Sequence, residues 1–172
     1  MGDGIVVDAD IISYYCREYI VETGELYDMI EKILKNCGIA ISDSVEREWR
    51  NTCGNQLFDE WFISNLLDNY IQYVKPHIDR QILKKIHNEF GLPKKGGDKD
   101  LIKAANVTTY RYILTNDIDL FDPKKKRASR KEKERIKNRR KGRLCQFLRK
   151  ELEITVGLPE HCWSDLEEHI SP

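Results

Sequence analysis

The chain has 172 residues, of which 40% are hydrophobic and 34% charged, with 29 basic and 29 acidic side chains. That length fits one domain with a real core, and no apolar run approaches the ~20 residues of a membrane-spanning helix. The first residues lack a signal-peptide pattern, so the composition predicts a cytoplasmic protein with no membrane partner.

Gly4–Asp8 reads as a first, buried strand, followed by a helical pattern through Ile11, Ile12, Tyr15, Tyr19 and Ile20. Thr23-Gly24-Glu25 breaks that pattern, and a second helix runs through Leu26, Met29, Ile30, Ile33 and Leu34 to a stop near Gly38. Ile39–Ile41 is a short strand. Ser42-Asp43-Ser44 caps a third helix bearing Val45, Trp49 and Thr52 on one stripe. Two further helices are predicted over Phe58–Val74 and Ile78–Phe90, with Pro76 at the break. Leu92–Gly97 is a loop, and Asp98–Tyr110 a helix that opens with acidic residues, as suits its positive end. Tyr112–Thr115 is a third strand, and Asp122-Pro123 closes the turn after it. Ser129-x-x-Glu132 is a capping-box pattern that starts a basic helix with Ile136, Leu144, Phe147, Leu148 and Leu152 as its apolar positions, weakened in the middle by Gly142. Ile154–Val156 is a last strand. Strands alternating with helices predict a three-layer α/β/α fold, its central sheet mostly parallel and covered on both faces.

The neutral total hides an asymmetry. Lys124 to Arg143 holds thirteen Lys/Arg and two Glu, which leaves sixteen basic and twenty-seven acidic residues elsewhere. One segment is near +11 and the remainder near −11. Such a basic run predicts contact with a phosphate backbone, through Lys124, Lys125, Lys126, Arg127, Arg130, Lys131, Arg135, Arg139, Arg140 and Arg143. Aromatic residues are absent from 124 to 146, so base stacking is not expected from it. The five cysteines (Cys16, Cys37, Cys53, Cys145, Cys162) form no C-x-x-C pair and an odd count, and read as reduced and non-catalytic.

Four acids carry the chemistry. In a parallel α/β sheet, ligands bind beyond the carboxyl ends of the strands. Asp8 and Asp117 end strands there. Helices run antiparallel to the strands, so each helix begins at that same edge; Glu48 is then about 9 Å along its helix, and Asp100 lies in the first turn of the helix that feeds the third strand. Converging carboxylates favour a hard divalent cation with oxygen ligands, so Asp8, Glu48, Asp100 and Asp117 are the expected catalytic set. The cofactor expected is Mg²⁺ or Mn²⁺, as one or two ions, with Asp119 as a further ligand. Asp10, Glu46 and Asp98 are second-tier candidates; Glu46 points away from Glu48 and can pair with Arg50 at i,i+4.

Val6-Val7-Asp8-Ala9-Asp10, Ile41-Ser42-Asp43-Ser44-Val45-Glu46-Arg47-Glu48-Trp49, Asp100-Leu101-Ile102-Lys103-Ala104-Ala105 and Leu114-Thr115-Asn116-Asp117-Ile118-Asp119-Leu120-Phe121 resemble, in order, the landmarks of the PIN-domain nucleases. The resemblance implies a single PIN-like domain over 1–172, with 124–150 as a long basic helical insertion. It implies a metal-dependent nuclease acting most often on RNA, an endoribonuclease, as in the bacterial toxin-type members that a partner antitoxin neutralises. Homodimers and a regulatory protein partner are family features. Asp10 departs from the Asn or Ser of many relatives, and the basic stretch is longer than the usual link. Two other readings fit some of the same residues. One is a degenerate PIN module that binds RNA or protein without cutting. The other is a haloacid-dehalogenase-type phosphatase, with Asp8 of Asp8-Ala9-Asp10 as nucleophile.

Overall fold

The computed structural model describes residues 3–93, 97–123 and 139–170, with the side chains of 139 and 168–170 excepted. Lys124, Lys125, Lys126, Arg127, Arg130, Lys131, Arg135 and Ile136, with the Ser129–Glu132 capping box, lie outside the described residues.

Among the described residues, five short strands form the centre: β1 (Val6–Val7), β2 (Ile39–Ile41), β3 (Ile71–Tyr73), β4 (Tyr112–Leu114) and β5 (Thr155–Gly157). Every pairing among these strands is parallel. β4 lies between β1 and β5, β3 pairs with β2, and a parallel bridge from Ile5 to Ile39 joins the two groups. The close approach at that joint needs a glycine. Gly4 sits at φ 101°, and a Cβ there would fall 2.5 Å from the carbonyl carbon of Gly38.

The described helices are α1 (Ala9–Val21), α2 (Glu25–Asn36), α3 (Asp43–Cys53), α4 (Gln56–Leu67), α5 (Arg80–Phe90), α6 (Gly97–Ala105), α7 (Arg143–Leu152) and α8 (Pro159–Ile170). α6 packs on β1, β2 and β4, α3 on α1 and α6, and α8 on β5 and α2. The arrangement is α/β with a small parallel sheet and is consistent with a three-layer α/β/α class. Strand residues Val6, Val7, Ile39–Ile41 and Tyr112–Leu114 are all buried, as expected for a sheet covered on both faces.

Four boundaries differ from the sequence reading. The helix expected over Phe58–Val74 stops at Leu67, and β3 follows. Asn69 takes the left-handed conformation (φ 61°) that ends the helix. Ile71-Gln72-Tyr73 then has Ile39–Ile41 to pair with, a tertiary contact that no local pattern reveals. The helix expected to reach Tyr110 ends at Ala105, where the Thr108 hydroxyl donates to the Ala105 carbonyl (2.9 Å) and turns the chain. Gly142 is not a weak helix centre but the N-cap of α7, preceded by a 3-10 turn at Arg139–Lys141. Pro159–Ile170, beyond the last expected strand, forms α8, with Pro at its first position.

Candidate metal centre

Asp8 follows β1 and caps α1: its Oδ1 accepts the Ala9 N–H at 2.7 Å. Asp117 follows β4, the strand beside β1, and caps the 3-10 turn Ile118–Leu120 by accepting the Asp119 N–H at 3.0 Å. The residue between β4 and that turn ties the two acids together. The fully buried Thr115 donates its hydroxyl to Asp8 Oδ2 (2.6 Å) and accepts the Asp117 N–H (2.9 Å). A single hydroxyl can do both, because it has one donor and two lone pairs.

The third carboxylate comes from the first turn of α6. Oxygens of Asp8, Asp98 and Asp117 lie within 4.8 Å of one another. Asp98, a second-tier candidate on sequence, takes the place expected of Asp100. Two residues apart on a helix are turned by about 200°, so only one can face the sheet edge. Asp98 lies on the stripe of Leu101 and Ala105, which are buried; that i, i+3, i+7 spacing was the available signal.

Glu48 is exposed on α3 and lines the same pocket of roughly 190 Å³ as Asp8, Asp98 and Asp117. Gly97 lies beside it: a Cβ on Gly97 would be in ordinary contact with the Glu48 Cδ at 3.6 Å. Glu46 instead accepts the Tyr73 hydroxyl and pairs with Arg50 (3.6 Å), as the i,i+4 spacing anticipated. Asp10 lines a different pocket with Asn116, Glu18 and Glu160. Asp119 does not belong to the triad; its N–H holds Asp117.

Trp49, on the apolar stripe of α3, fixes the relation of α3 to β1. Fully buried, it donates its indole N–H to the Val7 carbonyl at 2.9 Å. That bond joins the residue before Asp8 to the residue after Glu48.

Burial is the main reason the Asp8 carboxyl is pushed up to about 6, with the negative charge of Asp10 next and that of Asp117 adding to it. Asp10 is likewise raised, chiefly by burial. Three carboxylates this close, one of them desolvated, repel each other; a divalent cation relieves both costs. The donors are all carboxylate oxygens, with no thiol or imidazole among them, which suits a hard ion. The triad could therefore hold a metal ion.

Two of the expected phosphate contacts also have partners within the fold. The Arg140 guanidinium makes a two-pronged ion pair with Asp165 of α8 (2.9 and 2.6 Å), and Tyr112 donates its hydroxyl to the same carboxylate (2.7 Å). Arg143 lies over the Phe90 ring at 5.5 Å. The five cysteines carry no disulfide. No described helix is long and apolar enough to cross a membrane.

No protein-family model, curated protein or solved structure matches this chain.

Proposed function

We propose that the protein is a Mg²⁺- or Mn²⁺-dependent endoribonuclease of PIN-like architecture. The observation that carries this reading is the Asp8–Asp98–Asp117 triad, astride the ends of two adjacent parallel strands with Glu48 on its rim. An oxygen-only acidic pocket at a strand edge is a natural place to bring a phosphodiester to a divalent ion.

Asp8, Asp98 and Asp117 supply the ligand oxygens. Thr115 holds Asp8 and the Asp117 backbone in register, so the two strand-end carboxylates are oriented before anything binds. Glu48, on the exposed side of the pocket, is available to accept a hydrogen bond from the attacking water. A bound Mg²⁺ or Mn²⁺ supplies Lewis acidity toward the phosphate and that water. The chain needs no covalent nucleophile of its own. The basic residues between Lys124 and Arg143 supply the attraction for a polyanion that the acidic remainder lacks; Arg140, held by Asp165, is set apart from them.

The test is cleavage of 5′-labelled RNA and DNA with Mg²⁺, Mn²⁺ or EDTA. Metal-dependent internal cutting of RNA is expected. Phosphate release from small phosphomonoesters without RNA cutting would favour a phosphatase that uses Asp8. Salt-sensitive RNA binding without cutting would favour a binding module.

A further inference from the structure

Away from the acidic pocket, α1 and α3 pack along each other, and a cavity of roughly 220 Å³ opens where their later turns meet α4. Cys16 of α1 and Cys53 of α3 both line it, with Ser13, Asn55, Phe58 and Trp61. The two side chains interact across the contact between α1 and α3, and both are partly exposed. The other cysteines, Cys37, Cys145 and Cys162, are buried.

We propose that Cys16 and Cys53 form a peroxide-oxidisable dithiol, a covalent modification site that converts to a disulfide and staples α1 to α3. The chemistry proceeds in two steps. The Cys16 sulfur attacks one peroxide oxygen; an S–O bond forms, the O–O bond breaks, and the departing hydroxide takes up the thiol proton as water. The Cys53 sulfur then attacks the Cys16 sulfenic acid; an S–S bond forms, the S–O bond breaks, and a second water leaves with the Cys53 proton. Two thiols are oxidised by two electrons, and one hydrogen peroxide is reduced to two waters.

The environments assign the roles. The interaction with Cys53 lowers the Cys16 thiol, while the same interaction, ahead of burial, raises Cys53, whose own proton is donated to the Trp49 carbonyl. Cys16 is thus the attacking thiol and Cys53 the resolving one. Cys53 is held in place by its own contact to the Trp49 carbonyl (3.0 Å). Burial pushes Cys37 up to about 12 and raises Cys145 and Cys162, so none of the three competes as nucleophile.

The bond would close a loop containing α2 and β2. It would also join the helix capped by Asp8 to the helix that carries Glu48. Its test is independent of cleavage. The folded protein is treated with hydrogen peroxide, then denatured, alkylated and digested, and the peptides are mapped by mass. Three of the five cysteines are expected to alkylate, with Cys16 and Cys53 recovered in one linked peptide that dithiothreitol separates. The thermal midpoint is expected to rise on oxidation and return on reduction. Cys16→Ala and Cys53→Ala should each abolish the linked peptide, and the Cys16→Ala protein should keep its remaining four thiols. Alkylation of all five after peroxide would overturn the proposal. So would Cys16 trapped as a sulfinic acid beside a free Cys53, or linkage through any of the buried three.

Discussion

Thr115 donates its hydroxyl to Asp8 across the β1–β4 boundary at 2.6 Å, and the same oxygen takes the N–H of Asp117 at 2.9 Å. A side chain with no charge thus sets the spacing of two charged ones. Replacing it with valine keeps the shape and the burial but leaves Asp8 Oδ2 without the Thr115 donor and the Asp117 N–H without its acceptor. Thr115→Val should lower stability by about 1–3 kcal/mol, read by denaturant unfolding, and reduce metal-dependent cleavage more than tenfold. Thr115→Ser, which keeps the oxygen, should recover most of both. A Thr115→Val protein that keeps both while Thr115→Ser loses them would mean that the methyl group, not the hydroxyl, matters.

The raised Asp8 carboxyl makes a pH prediction. Its folded value of about 6 stands above the ordinary 3.8, so folding takes up a proton in that interval. The contribution is fully favourable below 3.8 and is lost as pH rises through about 6. At neutral pH the metal-free fold carries a buried charge that costs on the order of 3 kcal/mol. In EDTA, Asp8→Asn should therefore be more stable than wild type at pH 7, and the gap should narrow on acidification. Added Mg²⁺ should raise the thermal midpoint of wild type and not of Asp8→Asn. A gap that stays constant with pH would contradict the burial account of Asp8.

Asp98 belongs to the triad and lines its pocket, and Asp100 does neither. Asp98→Asn should abolish cleavage of RNA, because it removes one oxygen ligand of three. Asp100→Asn should leave the rate within a few-fold of wild type. The reverse result would restore the position favoured by sequence alone and would require α6 to be turned about its axis.

Arg140 is an anchor for α8. Arg140→Ala leaves Asp165 half-buried with only the Tyr112 hydroxyl, and it should lower stability by about 1–3 kcal/mol. The salt dependence of RNA binding should hardly change, because this guanidinium is occupied. A reduced salt slope at unchanged stability would assign Arg140 to the phosphate contacts instead.

Much of the candidate site could be read from the sequence, because strand ends announce themselves. Asp8 and Asp117 close apolar runs, and in a parallel sheet those ends share an edge. Glu48 was separable from Glu46 because Arg50 offers Glu46 a partner one turn on. Asp98 was passed over for Asp100: both suit a helix start, and only the buried stripe of Leu101 and Ala105 tells their faces apart. β3 was hidden because its three residues continue an apolar pattern that serves a helix equally well, and its pairing with β2 is a non-local fact. The roles of Thr115 and Trp49 were out of reach for the same reason; each acts through a bond to a residue far along the chain.

The most direct test is Mn²⁺ binding, followed by the loss of the free-ion electron paramagnetic resonance signal as protein is added. Wild type and Asp100→Asn should bind saturably, while Asp8→Asn, Asp98→Asn and Asp117→Asn should lose most of that binding, with Mg²⁺ competing. Equal binding by wild type and the three triad variants would contradict the account, as would a wild type that leaves the free-ion signal untouched.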